Sequence, residues 1–299
     1  MRRKLIVQGK KSFTVTLPID WIKRHKIKDE VELEIKNGYI EIKPITYKEQ
    51  IKTKKIDITD FPNLFIARTI GACYKVGYDE IILIYKNEQL EIIKEIVKGL
   101  IGYEIIETKP VVVIKRISAA SPEEYNTAEK KIFQYISSTL QDFLEGIKTK
   151  NIELIKSVIE SDVMMNRFAD YCQHLLLKYR NIESDNPFVP FVIAYQLEKA
   201  ADTIKEIAKE FIQEKFTMPS KAALALHESL VKLASEFYFV YYEPRKDKII
   251  EFINNITKLR KEFKKYKPKT AEISYVNGLK QITDIFYWLI TPIIMKRFV

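Results

Sequence analysis

The chain has 299 residues, 46% hydrophobic and 30% charged, with a net charge of +10. That length carries two or three domains, and the composition fits a soluble globular protein. Its two cysteines, Cys73 and Cys172, lie far apart in apolar contexts and make no C-x-x-C pattern, which excludes a disulfide scaffold and points to a reducing cytoplasm.

The N-terminal "MRRKLIVQGKK" contains only a three-residue apolar run, too short for the apolar core of a signal peptide. Positive charge is concentrated here: residues 1–28 carry nine basic side chains and one acid, Asp20. Such a local surplus in an otherwise nearly balanced chain predicts a polyanionic partner. From Gly9 to Pro44 the sequence reads as three strands around one short helix. "SFTVTLP" alternates, with Phe13, Val15 and Leu17 expected on a buried face. Pro18 ends that strand and "IDWIKRHKI" forms the helix. "DEVELEI" turns Val31, Leu33 and Ile35 inward, and Asn37-Gly38 predicts a tight hairpin into "YIEIKP". Some fifty residues cannot bury a stable core alone.

Residues 51–117 alternate strand and helix in the order βαβαββ, which predicts a small α/β sandwich. No G-x-G-x-x-G follows a strand, which argues against a dinucleotide site. Ser121-Pro122-Glu123-Glu124 reads as a capping box that opens a wholly helical region. Breaks near 149–151, 181–190, 217–220, 243–245 and 267–270 give six helices in two sets of three, 118–217 and 218–299. The C-terminal "IFYWLITPIIM" is interrupted by Thr291 and Pro292 and is too short to span a bilayer, so it reads as a buried helix.

Catalytic signatures are missing. His25, His174 and His227 have no second ligand at metal spacing, and no nucleophile elbow occurs. Two acidic ladders do stand out: Glu198, Asp202 and Glu206 on one helix, and Asp162, Asn166 and Asp170 on the preceding one. Four-residue spacing stacks each set on one helix face. Lys205 and Lys209 lie on the same side and are expected to neutralise it. The expected buried stripe of the second helix is Leu197, Ala201, Ile204, Ala208 and Phe211.

Two family resemblances attach to these motifs. "V-Q-G", "S-F-T-V-T-L-P-x-x-W-I", "D-E-V-E-L-E-I" and "N-G-Y-I-E-I-K-P" resemble the AbrB/SpoVT swapped-hairpin domains. "LEKAADTIKEIA", Leu197 to Ala208, is similar to the L-E-R-x-x-D-x-x-x-x-I-A signature of PhoU phosphate-uptake regulators, with Lys199 in the arginine place. "RTIGACYKVGYDEI" and "GYEIIE" resemble the linker of archaeal chains that fuse the two. These likenesses imply a multidomain α+β protein: a swapped-hairpin β-barrel head over 1–50, an α/β middle domain over 51–117, and a PhoU-like pair of three-helix bundles over 118–299. They imply a cytoplasmic homodimer that binds double-stranded DNA as a transcriptional regulator tied to phosphate uptake or a related signal. A phosphate-transport or signalling protein would be a further partner.

The residues expected at DNA are Arg2, Arg3, Lys4, Lys10, Lys11, Ser12, Lys23 and Arg24. Ile22 departs from relatives that have a basic residue there. PhoU relatives bind metal clusters on E/D-x-x-x-D pairs. Here Asn166 replaces one acid, and Lys258 and Lys280 fall at corresponding places in the second repeat, so no metal or other cofactor is expected. The alternative is a protein-interaction adaptor that modulates a transporter or kinase and uses the head only to dimerise. A metalloenzyme built on the ladders is the third and least supported reading.

Overall fold

The computed structural model describes residues 2–36, 38–44, 51–118, 122–179, 187–213, 218–243 and 245–298. It forms two compact units, Met1–Ile51 and Lys52–Val299. In the first, β1 (Ile6–Gln8) pairs antiparallel with β2 (Ser12–Thr14), and β3 (Val31–Lys36) with β4 (Tyr39–Pro44). Helix α1 (Ile19–Arg24) lies between the two hairpins in sequence. β1 adds a strand to the three expected. It is closed by Gly9, whose φ of 71° only glycine adopts freely, at the head of the Gly9-Lys10-Lys11 turn. Asn37 of the expected tight turn lies outside the described residues, while Lys36 and Tyr39 face each other across the hairpin.

The expected barrel does not close within one chain. The hairpins are separate two-stranded sheets. Their apolar faces are open: Phe13 is 63%, Leu33 61% and Ile35 85% exposed, so the burial expected of these side chains is not met in a single copy. Alternation marks the apolar face of each hairpin, and in one chain that face stays open.

The second unit begins with the expected βαβαββ order. Strands β5 (Thr53–Asp57), β6 (Glu80–Ile84), β7 (Tyr103–Glu107) and β8 (Val112–Arg116) form one sheet ordered β5-β6-β8-β7, parallel only between β5 and β6. Helix α2 (Asn63–Val76) is the crossover and ends on Gly77 in the left-handed conformation. Helix α3 (Leu90–Lys98) follows β6. Buried side chains of the sheet (Ile81, Leu83, Val112, Ile114) and of α2 and α3 (Ile66, Ile70, Ile93, Val97) share one core with the helices that follow.

Those helices are α4 (Pro122–Thr149), α5 (Ile152–Lys178), α6 (Phe188–Gln213), α7 (Lys221–Tyr242), α8 (Lys246–Lys265), α9 (Ile273–Trp288) and α10 (Ile290–Phe298). Six helices are expected and seven labels are needed, because the last one breaks at Leu289, three residues before Pro292. Ser121 of the expected capping box lies outside the described residues. Asn151 and Ser220 cap α5 and α7 through their side chains, which accept from the Leu154 and Ala223 amides. The expected stripe Leu197, Ala201, Ile204, Ala208 and Phe211 is buried throughout. Helices α6 and α9 cross closely at Gly278, where a Cβ would collide with the Ile207 side chain. Cys73 and Cys172 are buried and form no disulfide among the described residues. Among the described residues no helix is long and apolar enough to cross a membrane.

Candidate nucleic-acid interface

The basic residues of the first unit are placed by the hairpin turn and the short helix. Lys10 and Lys11 sit in the β1–β2 turn, Arg2, Arg3 and Lys4 lead into β1, and Lys23 and Arg24 occupy the last turn of α1. All seven are exposed, and none makes an ion pair among the described residues. Their charge is therefore unspent and accessible, as contact with phosphate requires. Ser12 is exposed as well, but its hydroxyl donates to the Gln8 carbonyl across the hairpin, so a phosphate would have to displace that bond. Thr14 likewise donates to Ile6, at 3.3 Å. His25 rests against Trp21, ring centroids 5.4 Å apart.

The β3–β4 hairpin separates charge from oil. One face carries Lys43, which reaches Glu34 at 3.0 Å and Glu41 at 3.3 Å. The other presents Leu33 and Ile35 opposite Ile42 and Ile40. On the β1–β2 hairpin Val7 faces Phe13, and both are exposed. Burying a side chain of this size is worth about 1.5–3 kcal/mol.

The acidic ladders of the second unit form a compact network rather than an open site. Lys205 reaches Asp162 at 2.7 Å and Asp202 at 2.9 Å, bridging α5 and α6. Lys199 reaches Asp202 at 2.9 Å and Glu198 at 3.2 Å. Asn166 donates to Asp162 at 3.0 Å, and Asp170 is turned to Lys75 of α2, at 2.6 Å. Burial pushes the Glu198 carboxyl up. Burial acts the same way on Asp202, but the ammonium groups of Lys205 and Lys199 outweigh it and hold that carboxyl below the usual range. A hard divalent cation needs six or more oxygen donors. Two ammonium groups already occupy the mouths of these carboxylates, so the residues do not suit a metal. Among the described residues no three His, Cys, Asp or Glu side chains are arranged to hold one.

The other histidines and a third acid are structural. His174 donates to the Tyr74 carbonyl at 2.6 Å and stacks on the Tyr74 ring, and burial pushes it down to about 4. His227 pairs with the Tyr275 hydroxyl at 2.8 Å, and burial pushes it down to about 3. Buried Glu129 accepts from Tyr125, Tyr241 and Tyr242, which ties α4 to α7. Tyr125 lies one helical turn before Glu129, but nothing in the spacing shows the tie to α7, because Tyr241 and Tyr242 lie more than a hundred residues downstream.

No curated protein matches the chain. The chain has a structural likeness to the phosphate transport system regulatory protein PhoU from Streptococcus pneumoniae, at 13% identity and a TM-score of 0.48, covering 58% of this chain and 93% of that one. Residues 6–50, which contain both hairpins and α1, match the family model described as antidote-toxin recognition MazE, bacterial antitoxin, so the likeness of the first unit is to a MazE-type domain.

Proposed function

We propose that the protein is a homodimeric, non-enzymatic DNA-binding regulator whose residues 1–50 grip the duplex. The single observation that carries this reading is the coincidence, on a MazE-type module, of seven unpaired basic side chains with apolar hairpin faces left open in one chain. A second copy would cover those faces and double the basic surface. Residues 51–117 would then link the head to a body, 118–299, that senses a signal or docks a partner. The tie to phosphate uptake rests on the signature-like run Leu197 to Ala208. A cytoplasmic setting accords with two cysteines that form no disulfide among the described residues.

The test is duplex binding as a function of salt. Lys10, Lys11 and Arg24 replaced by Ala should weaken binding and lower the slope of log affinity against log salt by up to about 0.9 per lost contact. Unchanged affinity and slope would overturn the assignment. One observation favours a second reading: the matched family is described by antidote–toxin recognition, which is a protein contact. On that reading the head only assembles chains, and no duplex would bind even at low salt.

A further inference from the structure

Charge gathers at a second place. Residues 258–269, "KLRKEFKKYKPK", contain seven Lys/Arg and one acid, Glu262. This stretch holds +6 and residues 1–28 hold +8 of a chain at +10, so everything else together stands at −4. The stretch is the last part of α8 and the loop after it. Leu259 and Phe263 turn into the core, which leaves Lys258, Lys261, Lys264, Lys265, Lys267 and Lys269 exposed. None of these six makes an ion pair among the described residues. Arg260 differs: it is held by Asp284 at 2.7 Å and lies over the Tyr287 ring.

The loop that carries Lys267 and Lys269 is pinned. Glu272, 5% exposed, accepts from the Ser220 amide at 2.8 Å, the Lys269 amide at 3.1 Å and the Tyr266 hydroxyl at 2.5 Å. The lysines therefore extend from fixed backbone. The negative end of α8 favours cations in its last turn, but it amounts to about half a charge and does not account for six.

We propose that this lysine cluster is a second nucleic-acid surface, one that binds the phosphate backbone of a duplex without reading its sequence. Lys258, Lys261 and Lys265 spread over about 10 Å of helix at 1.5 Å per residue, the span of about three phosphates on one strand. A membrane is the poorer fit. An interfacial helix must offer an apolar face, and that of α8 (Ile249, Phe252, Ile256, Leu259, Phe263) is buried in the bundle. A protein partner is poorer too. Such interfaces are depleted in lysine and built around aromatic anchors, and no large apolar side chain is exposed between Asn254 and Glu272. A phosphate backbone asks for neither.

The inference rests on the reading of the protein as DNA-binding, and the test keeps the two apart. The full-length chain, a head variant (Lys10, Lys11 and Arg24 to Ala) and a body variant (Lys258, Lys261 and Lys265 to Gln) are titrated with a random-sequence duplex over a range of salt. All six substitutions are at exposed positions, and circular dichroism checks that the folds match. The body variant should bind several-fold more weakly, with a slope reduced by up to about 2.7. The head variant should keep a weak, salt-sensitive affinity that disappears when the sets are combined. If the body variant matches the parent while the head variant loses binding, this proposal fails and the head assignment stands. If the head variant matches the parent while the body variant loses binding, the head assignment fails instead. Absence of binding by the parent at low salt overturns both. Capture on phosphatidylserine–phosphatidylcholine vesicles that is lost in the body variant, with duplex affinity unchanged, would replace the duplex by a membrane.

Discussion

The two units solve the same folding problem in opposite ways. Residues 52–299 bury a continuous core from Ile58 to Ile293 and neutralise their inner lysines with nearby acids: Lys178 on Asp79 at 2.6 Å, Lys75 on Asp170, Lys205 on Asp162. Residues 2–44 bury no large apolar side chain among those described, and they leave their N-terminal cations unpaired. The second unit builds its own core within one copy. On the proposed reading, the first is complete only when something else supplies an apolar face and a negative one. The head thus leaves apolar faces and cations open, while the inner lysines of the body show what the same lysine-rich composition does when its contacts are internal.

The sharpest way to break this contrast is to charge the open face. Leu33 and Ile35 replaced together by Asp should convert a dimer into a monomer, with light scattering falling from twice the 35.2 kDa chain mass to one. The thermal transition of the body should stay in place. A variant that remains dimeric would show that the head is not where the copies meet.

Within the body, Phe237 is fully buried among Phe133, Phe252 and Phe286. Phe237→Ala should cost about 3–5 kcal/mol in urea unfolding. Phe13→Ala should leave the body's unfolding midpoint unchanged and act only on assembly.

Acid should separate the units next. Burial holds His174 near 4 and His227 near 3, against about 6.5 in an unfolded chain. Folded values below the unfolded one mean that the contribution is fully present above pH ~6.5 and is lost as pH falls from there toward 4. For His174 the loss is of order 3 kcal/mol. The body's midpoint should fall over that window, and a His174→Gln, His227→Gln chain should show a flatter profile. A parent midpoint flat from pH 7 to 4.5 would refute the buried neutral imidazoles.

Removing Lys205 tests the lysine network. Lys205→Ala strands buried Asp162 beside Asp202 and should cost up to about 3 kcal/mol. Elemental analysis of protein purified without chelators should find no stoichiometric iron, zinc or manganese. Metal that is lost on Asp202→Ala would mean that the carboxylates, not the ammoniums, own the site. The smallest effect belongs to the surface: Lys98→Ala, which breaks an exposed pair with Glu95, should leave the urea-unfolding midpoint of the body unchanged.

Much of this was legible in the chain itself. Periodicity located the α/β order of 51–117, the helical body and the stripe from Leu197 to Phe211, because period and burial follow from backbone geometry alone. The concentration of charge in residues 1–28 is a fact of composition, and so is that in 258–269. The β1 strand was missed, since three residues are too few to show a period.

Other features depend on residues distant in sequence, and only the tertiary structure decided them. Alternation told which faces of the hairpins were apolar but not that one chain leaves them open. Spacing put Lys205 beside the Glu198, Asp202 and Glu206 ladder, but did not show that it also reaches Asp162 on the neighbouring helix or that Lys199 closes on Glu198 and Asp202. Glu129 meets Tyr241 across 112 residues, and Glu272 fixes the lysine-bearing loop by reaching back to Ser220. Local rules set which way each side chain points along its own element; what it meets there is fixed by the packing of elements far apart in the chain, and that is a property of the whole fold.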